Sequence, residues 1–305
     1  MRSTSTLPAY VLVTPARNEE TYIEQTIQSV INQTHLPTKW VIVNDGSTDR
    51  TAAIVRRYLG AHPWMELVEM PEHRDRSFAA KAHSFNAGYA HLKHLTFEVI
   101  GNLDADITFD PDYLEFLMGK FAEDPALGVS GTVFNETGYS SATNSFEGEN
   151  HVAGGCQLFR KECFNEIGGY VPTKIGVDWI AVTTARMKGW KTRSFRDKAF
   201  FHHRSLGTAE RTELQAAFFY GEKDYRMGWH PLWQLFRVAY RCKSNPLGGL
   251  SIGLGYLSGF VKRTERPISR ELMRFHRGEQ MARLKRIVWS LLTFKPVDSF
   301  RVSSR

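Results

Sequence analysis

Along the first two thirds of the chain, short unbroken apolar runs alternate with segments whose apolar residues recur at helical spacing. Tyr10-Val11-Leu12-Val13-Thr14 is apolar and β-branched and reads as a buried strand. Beyond Pro15, the segment Glu19 to Asn32 carries Ile23, Ile27, Val30 and Ile31 on one helical face. Trp40 to Val43 predicts a second strand. Ser47 stands where it would cap a helix opening at Thr48-Asp49, with Ile54, Val55, Tyr58 and Leu59 as its buried stripe. Met65 to Met70 predicts a third strand, Phe78 to Leu95 a long helix and Phe97 to Leu103 a fourth strand. Pro111 opens a helix that includes Tyr113, Leu114, Phe116 and Leu117. This order predicts an α/β fold with a mostly parallel sheet flanked by helices on both faces.

Farther along, Ala126 to Phe134 reads as a strand, and Asn135 to Gly148, rich in Gly, Ser, Thr and Asn, as a mobile loop near the site. Gly168-Gly169 and Pro172 mark a turn before a helix over Asp178 to Lys188, and a short strand is expected at Lys198 to Phe201. From about residue 208 the chain turns helical, aromatic and basic. The expected boundaries are therefore 8–207 for the α/β domain and 208–305 for a helical basic extension. Leu284 to Phe294 suits an amphipathic helix, either lying on a membrane or packed on a core.

Charge sharpens this division. Residues 226–305 hold 16 Lys and Arg against 4 Asp and Glu, a balance of +12, which leaves −5 for the rest of a chain whose total is +7. A basic tail on an acidic body calls for an anionic partner: anionic lipid, a lipid-linked phosphate or an acidic polysaccharide. Nucleic acid is not expected, because no binding motif accompanies the charge. The 305 residues suffice for a substantial core, and 42% hydrophobic with 23% charged residues is ordinary for a globular protein. Cys156, Cys163 and Cys242 lack zinc-site spacing and read as reduced thiols. Met1 to Pro8 has no apolar signal region. The longest uncharged apolar stretch, Leu247 to Phe260, has 14 residues, short of the roughly 18 a spanning helix needs. The expected location is cytoplasmic and peripheral at the inner membrane face.

The candidate chemistry lies at the ends of the strands. Asn44-Asp45-Gly46-Ser47-Thr48-Asp49 follows the second strand and Asp104-Ala105-Asp106 the fourth. Ligands bind at the carboxyl ends of strands in open α/β sheets. Two carboxylates one residue apart suit a hard divalent cation that also contacts substrate phosphates.

Further motifs extend the pattern: Thr14-Pro15-Ala16-Arg17-Asn18-Glu19, Gly154-Gly155 through Gly168-Gly169-Tyr170, and Val177-Asp178-Trp179 with Arg186 and Gly189 downstream. Taken in this order, the five signals resemble the family-2 glycosyltransferases of GT-A fold, over roughly residues 8–205. The resemblance implies an inverting enzyme that moves a sugar from a nucleoside-diphosphate donor, with UDP favoured, to a glycan or lipid-linked acceptor hydroxyl in cell-surface glycan assembly. It gives Asp45 a nucleotide-binding role, with Pro15, Arg17 and Glu19 lining the same pocket, and Lys81 and Asn86 facing the donor. Asp104 would contact ribose or reach the metal through water, and Asp106 would hold Mg²⁺ or Mn²⁺. His202 or His203 would complete the metal site, with Arg204 beside it for phosphate. Asp178 matches the general base and Trp179 stands on the acceptor side. Two alternatives remain open: a polyprenyl-phosphate sugar synthase, and a non-catalytic nucleotide-sugar binding protein.

Overall fold

The computed structural model describes residues 7–72, 78–144, 148–204 and 212–293. It divides into two compact units, residues 1–204 and 205–305. In the first unit the strands are β1 (Tyr10–Ala16), β2 (Lys39–Asp45), β3 (Met65–Met70), β4 (Val99–Leu103), β5 (Ile107–Phe109), β6 (Leu127–Glu136), β7 (Tyr139–Ser140), β8 (Cys156–Arg160) and β9 (Lys191–His202). Its helices are α1 (Ile23–Ile31), α2 (Thr51–Leu59), α3 (Phe78–Ala90), α4 (Tyr113–Glu123), α5 (Ser141–Asn144), α6 (Lys161–Glu166) and α7 (Val177–Met187). The second unit contains α8 (Glu213–Arg226), α9 (Pro231–Cys242), α10 (Pro246–Val261) and α11 (Arg270–Leu292).

The strands form one sheet in the order β3-β2-β1-β4-β8-β6-β9-β5, with β7 on the margin of β6. β3, β2, β1 and β4 are mutually parallel, and β8 enters antiparallel beside β4. Strand alternation supplies a core on each face. Tyr10, Leu12, Trp40 and Ile42 pack with Ile23, Ile27, Tyr113 and Leu117 on one side. Val11, Val13, Val41 and Val43 pack with Phe85, Phe159, Phe164 and Val182 on the other. The switch from parallel to antiparallel falls between β4 and β8, so the end of β4 lies beside the start of β8, and Asp104 donates its backbone N–H to the Gly155 carbonyl at 2.8 Å.

Three local expectations give way. Ser47 does not cap α2. That helix opens at Thr51 after Arg50, which makes no side-chain cap bond, and Asp49 just before it accepts at Oδ1 from the Thr51 N–H at 2.9 Å and from the Thr51 hydroxyl at 2.6 Å. Ser47 instead accepts the Asn18 N–H at 3.0 Å, which ties the β2 loop to the β1 loop. The segment expected to be a loop from Asn135 is partly ordered: β6 runs to Glu136 and folds back on β7. Residues 145–147 of that segment lie outside the described residues, as does Phe294 at the end of the expected carboxyl-terminal helix. Finally, β9 starts seven residues earlier than the apolar run alone indicates, because its outer face is polar while Thr192, Ser194, Phe200 and His202 are buried.

Candidate active site

Each carboxylate at the centre is delivered by a strand end. β4 ends at Leu103, which leaves Asp104 and Asp106 on the short link before β5. β5 pairs antiparallel with β9, with Ile107 opposite His202. This register brings His202 Nε2 to 3.3 Å from Asp106 Oδ1. One ligand atom from each of Asp104, Asp106 and His202 lies within 4.8 Å of the others. Asp104 is ion-paired to the Lys81 ammonium from α3. Arg204, just past β9, has its Nε 4.0 Å from Asp106 Oδ2 and grips Glu19 bidentately, at 3.0 Å and 2.6 Å.

The electrostatics follow from this crowding in a poorly hydrated place. Burial raises the Asp104 carboxyl, opposed by Lys81. Burial acts in the same direction on Asp106, but the hydrogen bond and charge of His202, with Arg204, outweigh it and hold Asp106 below the usual range. Burial alone would lower His202, yet Asp106 raises it. Glu19 is pushed up to about 7, first by burial and then by Asp106, against the pull of Arg204.

Of the two candidate histidines, His202 is the one turned to the carboxylates. His203 stacks on Tyr22 at 5.2 Å between ring centroids, with its Nε2 3.0 Å from the Thr108 hydroxyl. His202 Nδ1 lies 3.2 Å from Glu136 Oε1. With Nδ1–H donated to Glu136, a cation replacing the proton between Nε2 and Asp106 would meet the Nε2 lone pair, the arrangement common to metal-binding histidines. Two carboxylates and one imidazole form an O,O,N donor set that fits Mn²⁺ or Mg²⁺ with coordination positions left over for phosphate oxygens.

Asp178 sits in the first turn of α7, after Gly176 in the left-handed conformation at φ 65°. A Cβ on Gly154 would fall 2.8 Å from Asp178 Oδ2, and one on Gly155 3.8 Å from Asp104 Oδ2. The Gly154-Gly155 backbone therefore runs between Asp178 and Asp104, and any side chain at Gly154 would collide with the Asp178 carboxylate. Asp178 and Asp104 both act electrostatically on the buried Tyr170, whose hydroxyl donates to Gln157 Oε1 at 2.5 Å. Trp179 is buried, with 7% of its surface exposed.

The nucleotide-side residues occupy the neighbouring strand ends. Asp45 closes β2 and is buried. Gly46 follows at φ 64° with no room for a Cβ, which would lie 2.8 Å from Glu72 Cα. Pro15 lies in β1 in register with Val43, and Arg17 is the first residue beyond that strand. Asn18 Oδ1 accepts from the Thr48 N–H at 2.8 Å and Glu19 N–H donates to the Thr51 hydroxyl at 2.8 Å, so the β1 and β2 loops are laced together. Asn86 donates to the Tyr170 carbonyl at 3.2 Å. The sequence reading did not single out Glu136 or Gln157. The first became visible only through the extension of β6 beside β9, where Asn135 stands opposite Phe201.

The family model for glycosyl transferase family 2 matches residues 11–168, more than half of the chain. The chain belongs to this family. Its first unit has the GT-A fold. It is 31% identical over 121 residues to a chondroitin synthase of Pasteurella multocida, an alignment spanning 40% of this chain and 12% of that protein. It is 35% identical over 114 residues to a 4,4'-diaponeurosporenoate glycosyltransferase of Staphylococcus aureus, 37% of this chain and 28% of the other. The chain thus matches only a minor part of the length of these curated relatives. Among solved structures, the mannosyltransferase PcManGT from Pyrobaculum calidifontis, in complex with GDP-Man and Mn²⁺, superposes with a TM-score of 0.59 at 20% identity, covering 98% of this chain and 86% of that one. S. aureus TarS 1-349 in complex with UDP gives 0.56 at 14% identity, covering 97% and 90%.

Proposed function

We propose that this member of the family is a glycosyltransferase, an inverting, metal-dependent enzyme of cell-surface glycan assembly that moves a sugar from a nucleoside-diphosphate donor to an acceptor hydroxyl. The observation that carries the reading is the convergence of Asp104, Asp106 and His202 within 4.8 Å, with Gly154-Gly155 running between Asp104 and Asp178. UDP is the favoured donor nucleotide, recognised by Asp45 at the end of β2, with Pro15, Arg17 and Glu19 lining that pocket. Asp106 and His202 would hold a divalent cation, and Asp104 would supply a further oxygen or bind ribose. The chemistry such a cation would supply when bound is compensation of the charge on the departing diphosphate. Lys81, paired to Asp104, adds a second positive charge on the donor side. Asp178 takes the acceptor proton as its oxygen attacks the anomeric carbon, and Trp179 backs the acceptor side next to it.

A polysaccharide or lipid-linked acceptor agrees with the relatives, which include a chondroitin synthase and a 4,4'-diaponeurosporenoate glycosyltransferase. The basic second unit directs the enzyme to an anionic membrane surface, with the catalytic unit in the cytoplasm. The deciding experiment is a panel of UDP-, GDP- and dTDP-sugars with Mn²⁺ or Mg²⁺, scored for hydrolysis and for protection from melting. One UDP-sugar is expected to give both responses only with metal, and Asp106→Ala to remove both. Silence across the panel, with and without metal, would refute the reading.

A further inference from the structure

α10 is built with its polarity of size reversed. Its buried face consists of Gly248, Gly249, Ile252, Gly255 and Gly259. Its outward face carries Leu247, Leu250, Leu254, Leu257 and Val261, spaced 3, 4, 3 and 4 residues apart and between 54% and 70% exposed. A helix packed on a water-soluble core puts its large apolar residues inward. In α10 the small residues face inward, and they bring backbones into contact. A Cβ at Gly221 of α8 would lie 1.9 Å from the Ile252 carbonyl oxygen, and one at Gly255 2.0 Å from the Phe218 carbonyl oxygen. Small residues at the seam and leucines on the outer surface are how helices associate where the surrounding medium is itself apolar.

The length of α10 excludes a span. Its 16 residues give a helix about 24 Å long, and among the described residues no helix is long and apolar enough to cross a membrane. The charge pattern favours a helix lying in the plane of an interface. From Asn245 to Val261 the helix and its cap hold no charged residue, while Arg241, Lys243, Lys262 and Arg263 are exposed just beyond its two ends. Residues 225–264 contain six Lys and Arg and no Asp or Glu. Basic side chains at the rim and a leucine stripe between them match headgroup phosphates above acyl chains. A second copy of the chain fits less well, since residues 205–305 hold 18 Lys and Arg against 8 Asp and Glu and pairing would bring like charges together. A soluble polyanion would satisfy the charges and leave the leucines in water.

We infer that the outward face of α10 is a bilayer-docking surface, seated in the headgroup–acyl boundary of an anionic membrane with Lys243 and Lys262-Arg263 on lipid phosphates. This rests on the membrane placement proposed above and specifies the element responsible. The full chain is floated with vesicles of phosphatidylcholine alone or with about a third phosphatidylglycerol, across a salt series. Wild-type protein is expected to float with the anionic vesicles and to lose binding as salt rises. Leu250→Ser/Leu254→Ser/Leu257→Ser is expected to weaken binding at least ~30-fold, with unchanged donor hydrolysis in solution. In a Cys242→Ser background, Leu254→Cys carrying an environment-sensitive dye should shift its emission to the blue on anionic vesicles.

Four results would overturn the inference. Floating of the triple variant like wild type, or an unmoved dye, removes α10 while leaving the membrane placement intact. Failure of the wild type to float removes both, and donor turnover by the same preparation shows that the enzymatic reading survives. Concentration-dependent self-association of the wild type, abolished by the triple variant and unaffected by lipid, assigns the stripe to a second copy instead. The dye measurement keeps the test decisive if the triple variant does not fold.

Discussion

His202 is held at both ring nitrogens, Nε2 toward Asp106 and Nδ1 toward Glu136. Glu136 thereby fixes which nitrogen faces Asp106, which makes it a positioning residue for the metal site proposed above. Glu136→Gln is expected to raise the Mn²⁺ concentration for half-maximal activity ~10–100-fold, with a smaller loss of kcat once metal saturates. Glu136→Asp should recover part of the affinity. Equal losses in kcat at every metal concentration would instead point to a general defect. For Asp178, the consequence of base catalysis is specific: Asp178→Asn should cost ~10²–10⁴ in turnover while leaving donor protection from melting intact. A variant that keeps most of its activity would mean an acceptor that needs no base, as a lipid phosphate would, since that oxygen is already ionised.

At the scale of elements, the second unit turns on two glycines that face each other's helices. Gly221→Ala or Gly255→Ala would force a methyl group into backbone at about 2 Å, and neither carbonyl can move aside without breaking its helix. Each should cost about 3 kcal/mol, the upper end of overpacking penalties, measured by denaturant unfolding. Gly278 in α11 has open space around its Cβ direction, so Gly278→Ala should stabilise by ~0.5–1 kcal/mol through helix propensity alone. The sequence shows such elements unevenly. β1, β2 and β4 were legible because they are buried on both faces and carry unbroken apolar runs, and the edge strand β3 was legible from Met65, Leu67, Val68 and Met70 although Glu66 and Glu69 interrupt it. The polar half of β9 was not, because its exposed residues (Lys191, Arg193, Asp197) break the run that marks a strand. The carboxylate positions of the site were visible as motifs at strand ends. Their partners were not: Glu136 reaches His202, and Arg204 reaches Glu19, across separations of 66 and 185 residues that only the sheet register closes.

Across the whole molecule, charge is segregated, with an acidic body carrying the site and a basic carboxyl-terminal segment. The acidic body has a consequence for stability without metal. Glu19 keeps its proton to about pH 7 in the folded state, against about 4.5 when free, chiefly through burial and next through Asp106. Between those values the folded state binds more protons than the unfolded one, so stability falls as pH rises through that window, by up to about 3 kcal/mol for this group. His202 acts in the same direction, since its raised affinity for a proton stabilises the fold below its ordinary value and that contribution is lost above it. Asp106, held low, loses its contribution only in more acidic solution and leaves the window unchanged. Metal-free protein should therefore unfold more easily at pH 8 than at pH 5.5. On the reading proposed above, a divalent cation would take over the role of the protons on Glu19, Asp104 and His202, and its binding would release them. Saturating Mn²⁺ should then flatten or reverse the slope, and the apparent Mn²⁺ affinity should increase with pH across the same range. Melting curves at the two pH values with EDTA or Mn²⁺ measure this directly. A slope that Mn²⁺ leaves untouched would place the cation elsewhere, and Glu19→Gln, which removes the titrating carboxyl, should abolish most of the metal-free slope if the carboxylate cluster is its source.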